Sequence, residues 1–250
     1  MPAAYIEAFH RQRPGITEEV LTRALHGGCD PYRWLLEAVP PAGRVLDLAC
    51  GNAPLFPALA AAGRGYLGVD ASAAELAAAR ARGAEQLALA DADRLPVPDA
   101  SIAVVTASMA LMVVQPLAGV LAEVHRVLAP GGTLVATVPA AGPLRPTDRL
   151  VGIGLYLALG RFPGYPNPEA LTDLPALLRH AGLIVTDEGT CRFRYRLGGR
   201  TDADLLLRSL YLPGIPPARL RAGARYLHAL AGLGAEIGVP LRRITAIRAL

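Results

Sequence analysis

The chain contains no lysine: all 25 of its basic residues are arginine. With 26 glycines, 22 prolines and abundant alanine, this reads as GC-biased codon usage, not selection for arginine chemistry. Cysteine is scarce. Cys29, Cys50 and Cys191 lie far apart and form no CxxC pair, which excludes a disulfide framework and a zinc-site pattern. Aromatic residues make up only 5%, few for a surface that stacks nucleobases. Long apolar runs are missing too. Mean hydropathy is high at +0.34, yet Ala103–Val114 and Val151–Gly160 fall well short of the ~20 residues of a spanning helix. Glu7, Arg11 and Arg13 interrupt any secretory apolar stretch near the start, so a cytoplasmic protein is expected.

What is present is an ordered, globular composition. The 250 residues are 52% hydrophobic and 18% charged, which excludes a disordered chain and suits one α/β domain with insertions. The formal net charge of +4 is uneven. Residues 1–44 carry five basic against five acidic groups, residues 45–139 five against eight, and residues 140–250 fifteen against eight. The basic last part fits either an anionic partner, nucleic acid included, or a solvated arginine-rich surface.

The middle of the chain alternates strand and helix patterns. Strands are expected at Arg44–Ala49, Tyr66–Asp70, Gln86–Ala90, Ile102–Ala107 and Thr133–Pro139. Helices are expected at Pro54–Ala62, Ala73–Arg82 (capped by Ser72) and Leu117–Leu128, with a turn at Pro130-Gly131-Gly132. Short buried strands in β-α-β order mean a mainly parallel sheet covered on both faces. Further on, helices are expected at Asp148–Leu159, Pro168–Ala181, Asp202–Tyr211 and Pro217–Leu233. Strands are expected at Leu183–Glu188, Cys191–Leu197 and Leu241–Ala249, and Met1–Pro40 looks helical. The boundaries read as a cap over 1–43, a core over 44–139, a lid insertion over 140–167 and a C-terminal part over 168–250.

The most informative stretch is Val45–Leu55, VLDLACGNAPL, where a buried strand runs through a small-residue turn into a helix. Ligands of open parallel sheets sit beyond such a turn. Asp70, at the end of the second strand, stands where an acid can bond the two hydroxyls of a ribose. The turn lacks GxGxxG and GxxxxGK[ST], the two phosphate-binding fingerprints. Asp47, just before it, would repel a pyrophosphate and welcome a cation.

These residues resemble the class I S-adenosylmethionine (SAM) dependent methyltransferases, in the small-molecule subgroup that includes ubiquinone- and biotin-pathway enzymes. Asp47-x-Ala49-x-Gly51 is similar to their first motif, Asp70 to their ribose acid, and Ala90-Asp91-Ala92-Asp93-Arg94-Leu95-Pro96 to the segment where an Asp meets adenine. Asp99-Ala100-Ser101-Ile102 and Glu123 to Gly132 fit the same order. Ala49 and Ala53 replace the usual glycines, and Leu111-Met112-Val113-Val114 stands where the subgroup often has histidine. The resemblance implies a Rossmann-like, doubly wound, mainly parallel seven-stranded sheet, with N-terminal helices and helical insertions forming a lid.

It also implies SAM as cofactor, S-adenosylhomocysteine as product, no metal, and SN2 transfer to O, N or C of a small acceptor. The cofactor residues would be Asp47, Ala49, Cys50, Gly51, Asn52, Asp70, Ala71, Asp91, Ala92, Ser108 and Met109. Asp47 could instead only hold the turn, and Asp93 could exchange roles with Asp91. No general base is evident; His10 and Tyr5 are the candidates in the segment expected over SAM. Leu150, Val151, Ile153, Leu155, Tyr156 and Leu159 suggest an apolar lid and a hydrophobic or aromatic substrate, and Arg192, Arg194 and Arg196 form a row that could grip an acid. An RNA-modifying methyltransferase and a non-catalytic SAM-binding regulator are the alternatives. The acceptor and oligomeric state are not legible.

Overall fold

A computed structural model describes residues 3–250. The chain opens with α1 (Ala3–Gln12) and α2 (Ile16–Leu21); Met1 and Pro2 of the expected helical segment lie outside the described residues. The segment is not all helical. Ala24–Leu25 forms a short strand, β1, before α3 (Pro31–Leu36). Helix α3 begins where Asp30 accepts hydrogen bonds from the backbone N–H of Tyr32 and Arg33 at 2.9 and 3.0 Å. Pro31 takes the first-turn position that needs no N–H donor.

The core follows the expected rhythm: β2 (Val45–Leu48), α4 (Phe56–Ala61), β3 (Tyr66–Asp70), α5 (Ala73–Ala81), β4 (Leu87–Leu89), β5 (Ile102–Ser108), α6 (Leu117–Val127) and β6 (Leu128–Pro139). All of β2 is buried, as befits a central strand covered on both faces. Helix α6 buries Leu117, Val120, Leu121, Val124 and Val127, the stripe of a 3.6-residue period. The expected turn at Pro130-Gly131-Gly132 is absorbed into β6 as an irregularity. Ile102 pairs with Leu128, while Val104 already pairs with Thr133. Gly132 permits this, because a Cβ there would lie 2.8 Å from the Ala129 carbonyl oxygen.

Beyond β6 come α7 (Pro146–Leu159), α8 (Glu169–Thr172), α9 (Leu174–His180), β7 (Leu183–Arg196), α10 (Arg200–Ser209), α11 (Pro217–Gly232) and β8 (Glu236–Arg248). The helix expected over Pro168–Ala181 is two, interrupted at Asp173, with Pro175 opening the second. The two strands expected at Leu183–Glu188 and Cys191–Leu197 are one, with a bulge between Val185 and Asp187. The last strand starts at Glu236, five residues before the expected Leu241.

The sheet order is β1-β7-β8-β6-β5-β2-β3-β4, eight strands and not seven. The eighth is β1, whose Ala24 and Leu25 pair with Tyr195 and Arg194. Strands β4, β3, β2, β5 and β6 are parallel, and β8 is antiparallel to both β6 and β7. The chain lays β3 and β4 on one side of β2, then β5 and β6 on the other. The crevice between β2 and β5 is thus the topological switch point. Neighbouring strand residues feed opposite cores. Val45 and Val104 join Phe9, Leu35, Phe193 and Tyr195 on one face, while Leu46 and Val105 join Leu121, Val124 and Leu178 on the other.

Single arginines tie loops by gathering carbonyls. Arg64 donates to Pro40, Ala42 and Gly43 oxygens at 2.6–3.0 Å. Arg248 donates to those of His125, Arg126 and Leu128 at 2.6–3.1 Å.

Candidate cofactor and acceptor site

A cavity of about 870 Å³ opens over the carboxyl ends of β2, β3 and β5, at the switch point. Its floor is Asp47, 2% exposed. A carboxylate this deep needs partners. Thr106 Oγ1 donates to Oδ1 at 2.7 Å from β5, and Tyr66 Oη donates to Oδ2 at 2.9 Å from β3. Burial still dominates and raises the Asp47 carboxyl to about 6, with the two hydroxyl hydrogen bonds opposing it. Asp47 therefore both holds the strands and lines the cavity.

The turn after β2 is sharp. Ala49, Gly51 and Ala53 all have positive φ, at 51°, 54° and 57°. Alanine replaces glycine here at some backbone cost, and the turn stays small. Cys50 is buried beside Asp47 and Asp70, and burial drives its thiol far up, which disfavours the thiolate. Asp70 clamps the turn from β3. Its Oδ2 accepts from Gly51 N–H and its Oδ1 from Ser72 N–H, both at 2.8 Å. Each carboxylate oxygen can accept a second bond, which leaves room for a diol. Burial raises the Asp70 carboxyl, and the two N–H groups pull it back.

All eleven cofactor residues expected from sequence line this one cavity: Asp47, Ala49, Cys50, Gly51, Asn52, Asp70, Ala71, Asp91, Ala92, Ser108 and Met109. Asp91 lines it and Asp93 does not. Of the two base candidates, His10 lines the cavity. Tyr5 does not; its hydroxyl accepts from Leu212 N–H at 2.9 Å.

The N-terminal cap is fastened to the core by carboxylates. Glu75, on α5, accepts from Gly15 N–H at 2.9 Å and meets His10 Nδ1 at 2.9 Å. Glu18, on α2, accepts from Asn52 Nδ2 and pairs with Arg82 at 2.7 Å. Gly15 approaches so closely that a Cβ would lie 2.6 Å from Asn52 Nδ2.

The lid expectation needs correction. Leu150, Val151, Ile153, Leu155, Tyr156 and Leu159 of α7 do not line the cavity. Helix α7 packs on α11 instead. Gly154 sits under Tyr226, whose hydroxyl donates to Val151 O at 3.2 Å, and Leu159 lies against Gly223. Leu150, Ile153 and Leu157 face outward. The cavity is walled by Pro163 and Tyr165, by Leu206, Ser209, Leu210 and Tyr211, and by the early part of β8, Ile237–Leu241. Sequence reading missed this wall because Gly238 and Pro240 look like strand breakers. Glu75 and Tyr211 were missed too, since no local pattern pairs them with His10.

Two of the three arginines in the expected row are engaged within the fold, while Arg196 is exposed. Arg192 makes a two-pronged bond to Asp148, at 2.6 and 2.5 Å, which holds that carboxyl below its usual range. Arg194 pairs with Glu236 at 3.4 Å. Arg242 and Arg243 pair with Glu188 and Glu37 at 3.3 and 3.7 Å. Four of the fifteen arginines over 140–250 thus have carboxylate partners.

Among the described residues, no cluster of His, Cys, Asp or Glu could hold a metal ion, and no helix is long and apolar enough to cross a membrane. The cavity's own charge is lopsided. Glu7, Glu18, Asp47, Asp70, Glu75 and Asp91 face it, against Arg11 and His10. Such a cavity suits a cation with a nucleoside and repels a pyrophosphate.

Comparison with known proteins agrees. Residues 46–136 match a family described as a methyltransferase domain. The ubiquinone/menaquinone biosynthesis C-methyltransferase of Rubrivivax gelatinosus is 34% identical over 153 residues, 59% of this chain and 60% of the relative. This chain thus spans under two thirds of that relative's length. An uncharacterized methyltransferase of Synechocystis sp. is 33% identical over 152 residues, 59% of this chain and 70% of the relative. In fold, the chain is similar to an S-adenosylmethionine dependent methyltransferase from Mesorhizobium loti, with a TM-score of 0.50, 20% identity, and coverage of 86% and 96% of the two chains. The turn geometry, the paired strand-end acids and these matches converge: the chain belongs to the class I SAM-dependent methyltransferase family.

Proposed function

We propose that residues 1–250 act as one catalytic unit that transfers a methyl group from SAM to a small, apolar or aromatic acceptor. The carrying observation is the acid-lined cavity at the switch point, six carboxylates against one arginine. Asp70 would hold the ribose hydroxyls, and Asp91 with Ala92 the adenine edge. Asp47, Ala49, Cys50, Gly51 and Asn52 would surround the amino-acid end, with Ala71, Ser108 and Met109 completing the walls. When bound, SAM supplies an electrophilic methyl carbon on a sulfonium that is already a good leaving group.

The chain then has to align the acceptor and keep water out. Met112, Val113, Tyr165, Leu206, Leu210, Val239 and Leu241 offer the apolar surface for that. The quinone-pathway name of the Rubrivivax relative supports an aromatic acceptor. An RNA substrate fits less well, because six carboxylates against one arginine line the cavity and repel a phosphate backbone.

The test has two steps. Calorimetry should show SAM and S-adenosylhomocysteine binding and no NADH binding. SAM with a labelled methyl group, incubated with a cell extract, should then place label in the organic-soluble small-molecule fraction. Label in RNA, or tight binding with no label transferred, would overturn the acceptor class or the catalytic reading respectively.

A further inference from the structure

Three side chains from distant parts of the sequence meet at the roof of the cavity. Glu75 is on α5, His10 on α1, and Tyr211 follows α10. His10 Nδ1 lies 2.9 Å from Glu75 Oε1, and His10 Nε2 lies 2.9 Å from Tyr211 Oη. All three line the cavity. The Glu75 and His10 side chains are 4% and 22% exposed. Phe9, itself buried, packs edge-on against both rings, with centroids 5.4 Å from His10 and 4.7 Å from Tyr211.

The hydrogen-bond inventory orders these contacts. Both Glu75 oxygens accept, one from His10 and one from Gly15 N–H. A carboxylate accepting on both oxygens fixes Nδ1 of His10 as the donor. In the neutral imidazole, Nε2 is then the acceptor for the Tyr211 hydroxyl. Resting on the methyl-transfer reading above, we propose that Glu75, His10 and Tyr211 form a proton relay, and that the acceptor is a neutral hydroxyl on an aromatic or enolic carbon.

The atoms balance. The acceptor's proton moves to Tyr211 Oη as the Tyr211 proton moves to His10 Nε2. The freed pair on the acceptor oxygen forms the bond to the methyl carbon, and the carbon–sulfur pair stays on sulfur. The positive charge ends on the His10 imidazole, beside the Glu75 carboxylate, and the proton leaves to water that enters the cavity when the products depart. Tyr211 meets the acceptor, His10 holds the proton, and Glu75 is a positioning residue. Burial and the neighbouring Tyr165 and Glu75 raise the Tyr211 hydroxyl well above its ordinary value, so it rests as a neutral hydroxyl and not as a phenolate. This three-part contact assigns a role that neither Tyr5 nor His10 alone could fill.

Phenols of graded acidity test it. In Tyr211→Phe, kcat for unsubstituted phenols, whose pKa is near 10, should fall about 100-fold, the lower range of general-base effects. For nitrophenols already ionised at the assay pH, kcat should hardly change, because a phenolate needs no base. S-adenosylhomocysteine affinity, read by calorimetry, should be unchanged. An equal loss across the series, or transfer by the wild type to amines alone, overturns the relay and leaves methyl transfer standing; failure to bind S-adenosylhomocysteine sinks the cofactor reading instead. Ring ¹⁵N spectra of His10 in the free protein need no acceptor. They should show Nδ1 protonated and Nε2 bare, redistributing in Glu75→Gln, and a protonated Nε2 with bare Nδ1 overturns the proposal.

Discussion

The sheet has two halves that meet at β6, and they are fastened differently. In the parallel half most strands pair with one that follows a single helix later, as Asp47 does with Gly68, and only the β2–β5 pair at the switch point skips further. The strands beyond β6 pair across long stretches of chain: Ala24 of β1 meets Tyr195 of β7, and Thr137 of β6 meets Arg243 of β8. The parallel half has one hydroxyl-bonded acid, Asp47, buried at its centre, and its ion pairs, such as Arg126 with Asp99 and Glu123, lie outside the strands. The antiparallel half carries its ion pairs on the strands themselves, Arg192 with Asp148 above all. The first half presents the acids, and the second supplies the wall that faces them. The residues proposed for the cofactor are therefore local in sequence, while those proposed for the acceptor are scattered.

Four substitutions or conditions can break or sharpen that contrast. The largest effect should come from Arg192→Ala, which leaves Asp148 buried without its partner, a loss on the order of 3–5 kcal/mol. Hydrogen exchange should show α7 and the start of β8 loosening first, with β2 and β5 protected longest; uniform loosening would erase the distinction between the halves.

Next is pH. Asp47 titrates near 6 in the folded chain against 3.8 as its ordinary value. The folded state therefore keeps a proton that the unfolded state loses, and stability should fall as pH rises from about 4 to about 6. The shift corresponds to about 3 kcal/mol. Denaturant titrations of the wild type should show this slope and Asp47→Asn should lack it; equal slopes would remove Asp47 as the cause. Third, Asp70→Ala should weaken SAM binding by roughly 1.5–3 kcal/mol by calorimetry, the range for hydrogen bonds to a charged group. Unchanged affinity would sink the ribose assignment.

The smallest effect concerns backbone. Ala100 has φ of 51° and is exposed, so Ala100→Gly removes left-handed strain without opening a cavity. It should stabilise by about 0.5 kcal/mol, strain relief exceeding the added unfolded-state entropy. A lower melting temperature would contradict this.

The same division governs what the sequence could reveal. Asp47, Gly51, Asp70 and Asp91 stand at strand ends, where a strand–turn–helix pattern marks them directly. Tyr211 carries no such mark, since its meeting with His10 is made by the packing of α1 against the segment after α10. Gly238 reads as a breaker, yet a Cβ there would lie 2.6 Å from Asp148 Cγ, so the glycine serves the ion pair and the strand runs on through it. The α7 face misleads for a related reason: its apolar period predicts burial, but not whether the partner is a cavity or α11. The eighth strand is two residues long, too short for any periodicity to announce.

The arginine ties have a practical corollary. A chain without lysine has no side-chain primary amine, so amine-directed reagents leave its fold fastenings untouched. Dicarbonyl reagents act on guanidinium groups, and the forks of Arg64 and Arg248 that gather three carbonyls each are among the groups they can reach once the chain loosens. Immobilisation through amines and inactivation through arginines should therefore separate cleanly, and a fluorophore coupled to an amine can attach to no side chain of this protein.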